Sequence, residues 1–321
     1  MSAQAGFHSL ERLRAALPLV VIAIVASCDE VREIGERLES RTPHQEYAEA
    51  LRNAGLEQTA LGRDWLFSSD SALRHARDVS LPYRLEGSLA ASEAPALGLR
   101  FPLRRGQRLR VDVSMDTVQV IQLFIDLFRA PTDSGQAPRH VESAESRSTF
   151  LEAEARRDGE YLLRIQPELL RGGDYELSVQ VEPALAFPVA GRDGRSVRSY
   201  FGADRDAGRR RHQGIDIFAP RGTPALAVST GFVRRVGTNS LGGNVVWVWD
   251  ESRGHSYYYA HLDSQAVTFG ERVRAGDTLG FVGNTGNARS TAPHLHFGIY
   301  APGEGPVDPL PFVTLPRMPV D

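Results

Sequence analysis

The sequence of 321 residues contains no lysine, so all 37 of its basic side chains are arginines. Without lysine the chain cannot form a lysine Schiff base, a Ser–Lys dyad or the lysine-dependent phosphate site of a Walker loop. Cysteine is nearly absent, because Cys28 is the only one. A single thiol excludes an internal disulfide and a cysteine-rich zinc site. Any metal ion must therefore be held by histidine, aspartate or glutamate.

Neither sign of charge is in large excess, and the formal net charge is −3. Because the chain lacks a strongly basic balance, we predict no nucleic-acid partner. Hydrophobic residues make up 41% and charged residues 24% of the sequence, which is ordinary for a globular protein. The length is that of roughly two domains.

The N-terminal region lacks a long hydrophobic run. Its uncharged segment, residues 15–27, is shorter than the ~20 residues of a spanning helix and fits the hydrophobic part of a signal peptide. It ends in Val25-Ala26-Ser27-Cys28, which resembles the lipobox of bacterial lipoproteins. The resemblance implies that the signal 1–27 is removed and that a lipid on Cys28 anchors the chain to a membrane. The alternative is an uncleaved anchor or a plain secretory signal.

Residues 28–79 are charged and predicted to form a helical spacer. Thr42 and Pro43 favour the start of a helix, and Gly55 favours its end.

The hydrophobic period changes to two in residues 80–183. Leu109, Val111 and Val113, for example, alternate with polar residues. Repeated segments of this kind predict half-buried antiparallel strands in a β-sandwich. The phrases within 159–177 resemble the pre-peptidase C-terminal (PPC) jelly-roll modules that accompany secreted proteases. Nothing in the segment has catalytic spacing, so a spacer or binding module is the preferred interpretation.

Three histidine clusters lie in the last third of the chain. In the first, His212, Gly214 and Asp216 would share one face of a strand. Since Gly214 has no side chain, the strand would leave room for a metal ion between the imidazole and the carboxylate.

The second cluster contains His294 and His296, which would share a strand face about 7 Å apart. At that spacing one imidazole suits a metal ligand and the other a neighbouring catalytic base. In the third cluster, Tyr257, Tyr259 and His261 would share a face. Together the clusters supply a His/Asp/His set with an open position for water, as in catalytic zinc sites, and a neutral imidazole to accept a proton.

The region from about Phe187 to Val313 resembles the M23 zinc peptidases of the LytM and lysostaphin type. The matching segments occur in family order: Phe201-Gly202, His212-Gln213-Gly214-Ile215-Asp216, Ala219-Pro220, Gly222-Thr223-Pro224, Gly231-Phe232-Val233, Gly243-Asn244-Val245-Val246, Tyr259-Ala260-His261-Leu262, Val273, Gly276-Asp277, Leu279-Gly280, Gly283-Asn284-Thr285-Gly286 and Pro293-His294-Leu295-His296-Phe297. The resemblance implies that His212, Asp216 and His296 bind one Zn²⁺ and that His261 and His294 are the catalytic pair. It further implies a peptide cross-link of bacterial peptidoglycan as the substrate.

The mechanism implied by the resemblance uses a zinc-bound water as the nucleophile. Either His261 or His294 is the general base, and the other helps to stabilise the oxyanion. The chain departs from the family before Asn244, where several members carry a tyrosine ahead of the glycines and this chain has Leu241. It must do without that hydroxyl or use another donor, for which Tyr258 and Tyr259 are the candidates.

These patterns predict a mainly β fold, with a short helical segment, a jelly-roll-like β-sandwich and a LytM-type antiparallel β catalytic domain. The predicted boundaries are a signal peptide at 1–27, a spacer at 28–79, a PPC-like sandwich at 80–183, a linker at 184–192, a peptidase domain at 193–313 and a tail at 314–321.

The predicted function is that of an exported, lipid-anchored zinc endopeptidase on the periplasmic face of a Gram-negative membrane. The resemblance leaves the cleaved bond open, because D-Ala–diaminopimelate cross-links and polyglycine bridges are both hydrolysed within the family. The lipoprotein signal and the arginine-only composition favour the former. One alternative is a non-catalytic LytM-type regulator of cell-wall amidases. Such regulators have lost zinc ligands, whereas this chain keeps all five site residues. Another alternative is a structural lipoprotein that binds the cell wall through its sandwich.

Overall fold

The computed structural model describes residues 41–315, except 117–120, 134 and 206. The predicted signal peptide, Cys28 and residues 316–321 of the tail lie outside the described residues. Among the residues described, no helix is both long and apolar enough to cross a membrane. The described fold is mainly β with few helices, which confirms the predicted fold class.

Two helices open the described chain, α1 (Pro43–Asn53) and α2 (Ala60–Arg74). Thr42 and Gln45 form a reciprocal capping box at the start of α1, and Gly55 follows its end with a φ of 71°. Short 3₁₀ helices occupy Leu56–Gln58, Ala91–Glu93, Gly194–Ser196 and Gly286–Ala288.

Nine strands follow the helices and build two sheets around one hydrophobic core. The first sheet has the order β1-β3-β8-β5-β6 and the second β2-β9-β4-β7. The strands are β1 (Arg77–Asp78), β2 (Tyr83–Leu89), β3 (Leu97–Leu103), β4 (Gln107–Asp116), β5 (Leu123–Arg129), β6 (Arg139–Ser143), β7 (Phe150–Glu154), β8 (Gly159–Pro167) and β9 (Gly173–Pro183).

Strand β5 departs from the predicted half-buried pattern, because its first five residues are all buried. The helices cover its outer face, where Phe124 packs against Trp65 of α2. On the same face Asp126 pairs with Arg164 at 2.8 Å. A strand covered on both sides loses the polar-out alternation.

Twelve strands and one short helix make up the rest of the described chain. They are β10 (Val197–Ser199), β11 (Asp204–Arg205), β12 (Arg210–Arg211), β13 (Ile215–Phe218), β14 (Pro224–Leu226), β15 (Gly231–Asn239), β16 (Gly243–Asp250), β17 (His255–Gln265), β18 (Arg272–Val273), β19 (Thr278–Val282), β20 (His294–Ala301), β21 (Gly305–Val307) and α3 (Leu310–Val313). The main sheet has the order β10-β13-β20-β17-β16-β15-β18. Of the remaining strands, β19 pairs with β17 and β14, and β21 pairs with β20.

The predicted linker, 184–192, is packed between the two sets of strands. The Ala184 N–H donates to the Gly106 carbonyl, and the Leu185 N–H donates to the Phe312 carbonyl, both at 2.9 Å. Arg253 of the second set forms an ion pair with Glu154 of the first at 2.8 Å. Backbone and charged contacts therefore hold the two sets together.

Candidate active site

A cleft of about 420 Å³ crosses the main sheet where β13, β20 and β17 lie side by side. All five site residues predicted from the sequence line it: His212, Asp216, His261, His294 and His296. The fold thus brings together residues from three distant parts of the chain.

Asp216 and His296 are direct partners on the antiparallel strands β13 and β20, so their side chains share a face. The Asp216 Oδ1 atom lies 3.0 Å from both His212 Nε2 and His296 Nδ1. The two imidazole nitrogens are themselves 3.0 Å apart. Three potential ligand atoms therefore form an equilateral triangle in the cleft.

The strand predicted across residues 212–216 begins only at Ile215, so His212 reaches the cleft from the segment that precedes β13. The space above Gly214 is also used differently from the prediction. A Cβ atom at Gly214 would lie 2.9 Å from the His296 ring, which shows that this imidazole fills the space. The ligand triangle lies beside Gly214 because the glycine admits His296.

Hydrogen bonds fix the protonation pattern of the triangle. The His212 Nδ1 atom lies 2.9 Å from the Tyr200 carbonyl oxygen, which can only accept, so Nδ1 carries the proton of the neutral ring. Burial would raise the pKa of Asp216, but its contacts with the imidazoles of His212 and His296 hold it well below its ordinary range. Burial lowers the pKa of His296, although the carboxylate opposes the shift.

The chemistry of this donor set fits a metal ion. With both rings neutral, the His212 Nε2 lone pair faces the Asp216 oxygen, and only a shared proton or a cation relieves that repulsion. Ligands of a tetrahedral zinc ion, each ~2.0–2.1 Å from it, lie about 3.3 Å from one another. The 3.0 Å spacing is close to that value.

His261 and His294 form a second imidazole pair, with ring centroids 5.0 Å apart. The His261 Nδ1 atom faces the Thr285 carbonyl at 2.9 Å, and the His294 Nδ1 atom faces the Ala292 carbonyl at 2.9 Å. In the neutral rings each Nε2 therefore carries the lone pair. Burial, together with the imidazoles of His296 and His294, lowers the pKa of His261 to about 4, so this ring is neutral near pH 7.

The prediction that His261 shares a face with Tyr257 and Tyr259 is wrong. Both tyrosines are fully buried in the core, whereas His261 lines the cleft. Between Tyr259 and Leu262 strand β17 carries one residue more than its partner β16, which makes a β-bulge. At His261 the backbone adopts a φ of 63°, and this left-handed turn moves the imidazole to the cleft side.

Tyr258 and Tyr259, the two candidate hydroxyl donors, are neighbours on strand β17 and point to opposite faces of the sheet. Tyr259 points into the core, where its hydroxyl accepts from the Val228 N–H at 3.0 Å. Tyr258 lines the cleft, with its ring centroid 5.8 Å from that of His296. Because successive residues of a strand point to opposite faces, alternation alone predicts Tyr258 on the face opposite Tyr257 and Tyr259.

Arg205 also lines the cleft, although no pattern in the sequence predicts it there. Its Nη2 atom donates to Asp216 Oδ2 at 2.7 Å, and it lies on the hairpin that precedes His212. No spacing rule in the sequence links an arginine to an aspartate eleven residues later on another strand.

The family model described as Peptidase family M23 matches residues 210–309. Glycyl-glycine endopeptidase ALE-1 of Staphylococcus capitis is 44% identical over 87 residues, which are 27% of this chain and 24% of that protein. Peptidoglycan DD-endopeptidase ShyC of Vibrio cholerae is 42% identical over 86 residues, which are 27% of this chain and 19% of that protein. The chain therefore spans about a fifth to a quarter of the length of these curated relatives.

Among solved structures, the catalytic domain of the antimicrobial peptidase lysostaphin from Staphylococcus simulans matches at 33% identity and a TM-score of 0.33. The match covers 36% of this chain and 89% of that one. The family match falls on the segment that carries all five site residues, His212, Asp216, His261, His294 and His296. Residues 210–309 are therefore a domain of peptidase family M23.

Proposed function

We propose that this protein is a zinc-dependent endopeptidase that hydrolyses peptide cross-links of bacterial peptidoglycan, and hence acts outside the cytoplasm. The observation that carries the proposal is the cleft in which a His/Asp/His triangle lies beside a second imidazole pair. The M23 domain supports peptide hydrolysis, and relatives named as endopeptidases, one of them for peptidoglycan, support the substrate class.

In this proposal His212, Asp216 and His296 hold the ion. A bound zinc ion supplies Lewis-acid polarisation of the scissile carbonyl and lowers the pKa of a water to about 7. His261 or His294 takes a proton from the attacking water, because the Nδ1 contacts leave Nε2 of each neutral ring able to accept one. The same imidazole then returns the proton to the leaving amine, and the other stabilises the oxyanion only when its Nε2 is protonated.

Tyr258 is the hydroxyl donor that we assign to the developing oxyanion. Burial raises the pKa of the Tyr258 hydroxyl, although the Asn239 side chain opposes the shift. The hydroxyl therefore keeps its proton and can donate it to the oxyanion. Leu241, at the position before the glycines, offers no such group.

The test is digestion of defined cross-linked muropeptides, followed by mass spectrometry of the products. One set carries D-Ala–diaminopimelate cross-links and the other carries polyglycine bridges. We expect zinc-dependent cleavage of one set, loss of cleavage with a chelator, and recovery when zinc is restored. Asp216→Ala should be inactive, whereas Asp112→Ala, on the distant β4, should match the unaltered protein.

Intact cross-links in both sets with zinc-loaded protein would contradict the proposal. So would full activity of Asp216→Ala. A protein that leaves muropeptides intact but stimulates an added cell-wall amidase would instead be a regulator.

A further inference from the structure

The two carboxylate oxygens of Asp216 have different partners. Oδ1 faces His212 Nε2 and His296 Nδ1, each at 3.0 Å. Oδ2 instead accepts a hydrogen bond from Arg205 Nη2 at 2.7 Å. The same nitrogen donates to the hydroxyl of Ser199, the residue that pairs with Asp216 across β10 and β13. One guanidinium nitrogen thus fixes the orientation of the carboxylate against its neighbouring strand.

Backbone hydrogen bonds tie His212 to the hairpin that carries Arg205. Strands β11 and β12 form a two-stranded hairpin, and His212 follows it directly. The His212 N–H donates to the Ala203 carbonyl, and the Gly202 N–H donates to the His212 carbonyl, both at 2.8 Å. The segment that carries His212 therefore also carries Arg205, which donates a hydrogen bond to Asp216.

We infer that Arg205 is a positioning residue that makes Asp216 a one-oxygen ligand of the metal ion, an inference that rests on the zinc site proposed above. A carboxylate without such a partner can bind an ion through both oxygens. The second oxygen would then compete for the position that a catalytic zinc site keeps open for water. Because a guanidinium stays charged at any working pH, Arg205 remains a charged donor to Oδ2 across that range.

The test compares zinc affinity, measured by competition with a chromophoric chelator, in the unaltered protein, Arg205→Ala and Arg211→Ala. Arg211 is the matched control because it lies on the same hairpin and pairs with Asp204, at 2.6 Å, away from Asp216. We expect Arg205→Ala to weaken zinc binding about 10- to 100-fold, as for other partners of metal ligands. Arg211→Ala should bind zinc like the unaltered protein.

The second readout is the absorption spectrum of the cobalt-substituted protein, which reports coordination number. Arg205→Ala should shift it towards a higher coordination number, and Arg211→Ala should leave it unchanged. Arg205→Lys keeps the charge without the planar fork, so an intermediate affinity is expected. Circular dichroism of each variant establishes that it is folded, and Arg205→Lys serves if Arg205→Ala is not.

If Arg205→Ala binds zinc with unchanged affinity and shows an unchanged cobalt spectrum, this inference is wrong and the proposed function is unaffected. Equal losses in Arg205→Ala and Arg211→Ala would also overturn the inference, because they would indicate a general disturbance of the hairpin. Failure of the unaltered protein to bind zinc would overturn the proposed function and this inference with it.

Discussion

The Nδ1 atom of His261 lies 2.9 Å from the carbonyl oxygen of Thr285. Thr285 is itself held in place, because its hydroxyl donates to the Leu262 carbonyl at 2.8 Å and accepts from the Asn244 N–H at 2.9 Å. The turn after β19 therefore decides which way the imidazole points and which of its nitrogens is protonated.

Removal of either imidazole of the pair should abolish most activity without removing zinc. We expect His261→Asn and His294→Ala each to lower kcat/KM by about 10²- to 10⁴-fold, the usual contribution of a general acid or base. Asparagine is chosen at 261 because it tolerates the left-handed backbone there, with its φ of 63°. Muropeptide kinetics and metal analysis of the same samples check this. His75→Ala, at an exposed position, is the control, and full activity of both zinc-loaded variants would refute the assignment.

Loss of the Tyr258 hydroxyl should slow the chemical step. We expect Tyr258→Phe to lower kcat by about 10²-fold with little change in KM, because an oxyanion donor acts in the transition state. Tyr300→Phe is a matched control, since Tyr300 also lines the cleft and its hydroxyl donates to Gln213 at 3.4 Å. Steady-state kinetics on one defined muropeptide separate kcat from KM. Equal effects of the two variants would count against a specific role for Tyr258.

A methyl group at Gly214 should disrupt the ligand triangle. An added Cβ would lie 2.3 Å from the Phe297 carbonyl oxygen and 2.9 Å from His296 Nε2. Gly214→Ala should therefore lose zinc and cost about 1–3 kcal/mol of stability, the typical penalty of overpacking. Gly237→Ala in β15 has open space around its Cβ and should change neither property. Zinc analysis and urea unfolding measure both, and normal zinc content in Gly214→Ala would contradict the predicted crowding.

The buried His44 should make stability depend on pH. Burial, reinforced by the charge of Arg164, lowers the pKa of His44 to about 4. Between pH 6.5 and 4 the unfolded chain binds a proton that the folded chain does not, so the free energy of unfolding should fall as the pH is lowered. The His44 contribution is about 3 kcal/mol and levels off below pH 4.

Urea unfolding followed by tryptophan fluorescence checks this prediction, because the Trp65 ring stacks on His44 at 4.9 Å. His44→Gln should show a smaller fall in stability over the same pH window. His75→Gln, at an exposed histidine, should follow the unaltered protein. Parallel pH profiles for His44→Gln and the unaltered protein would show that another group causes the dependence.

Local patterns in the chain were enough to predict its two β-rich segments and the helix that begins after Thr42. Alternation along residues such as Leu109, Val111 and Val113 reflects which side of a strand is buried, and the Thr42 capping box is a contact between near neighbours. The types and spacing of the histidines also sufficed to propose a site, because metal-binding chemistry restricts the side chains that can take part.

Contacts between distant segments determined the positions of the site residues that local patterns did not predict. The β-bulge at His261 arises from pairing with β16 and moves the imidazole away from the face of Tyr257 and Tyr259. Arg205 meets Asp216 only because a hairpin folds over β13, and His296 fills the space at Gly214 only because β20 lies beside it. Sequence periodicity describes a strand as regular and isolated, whereas register shifts and cross-strand neighbours are properties of the assembled sheet.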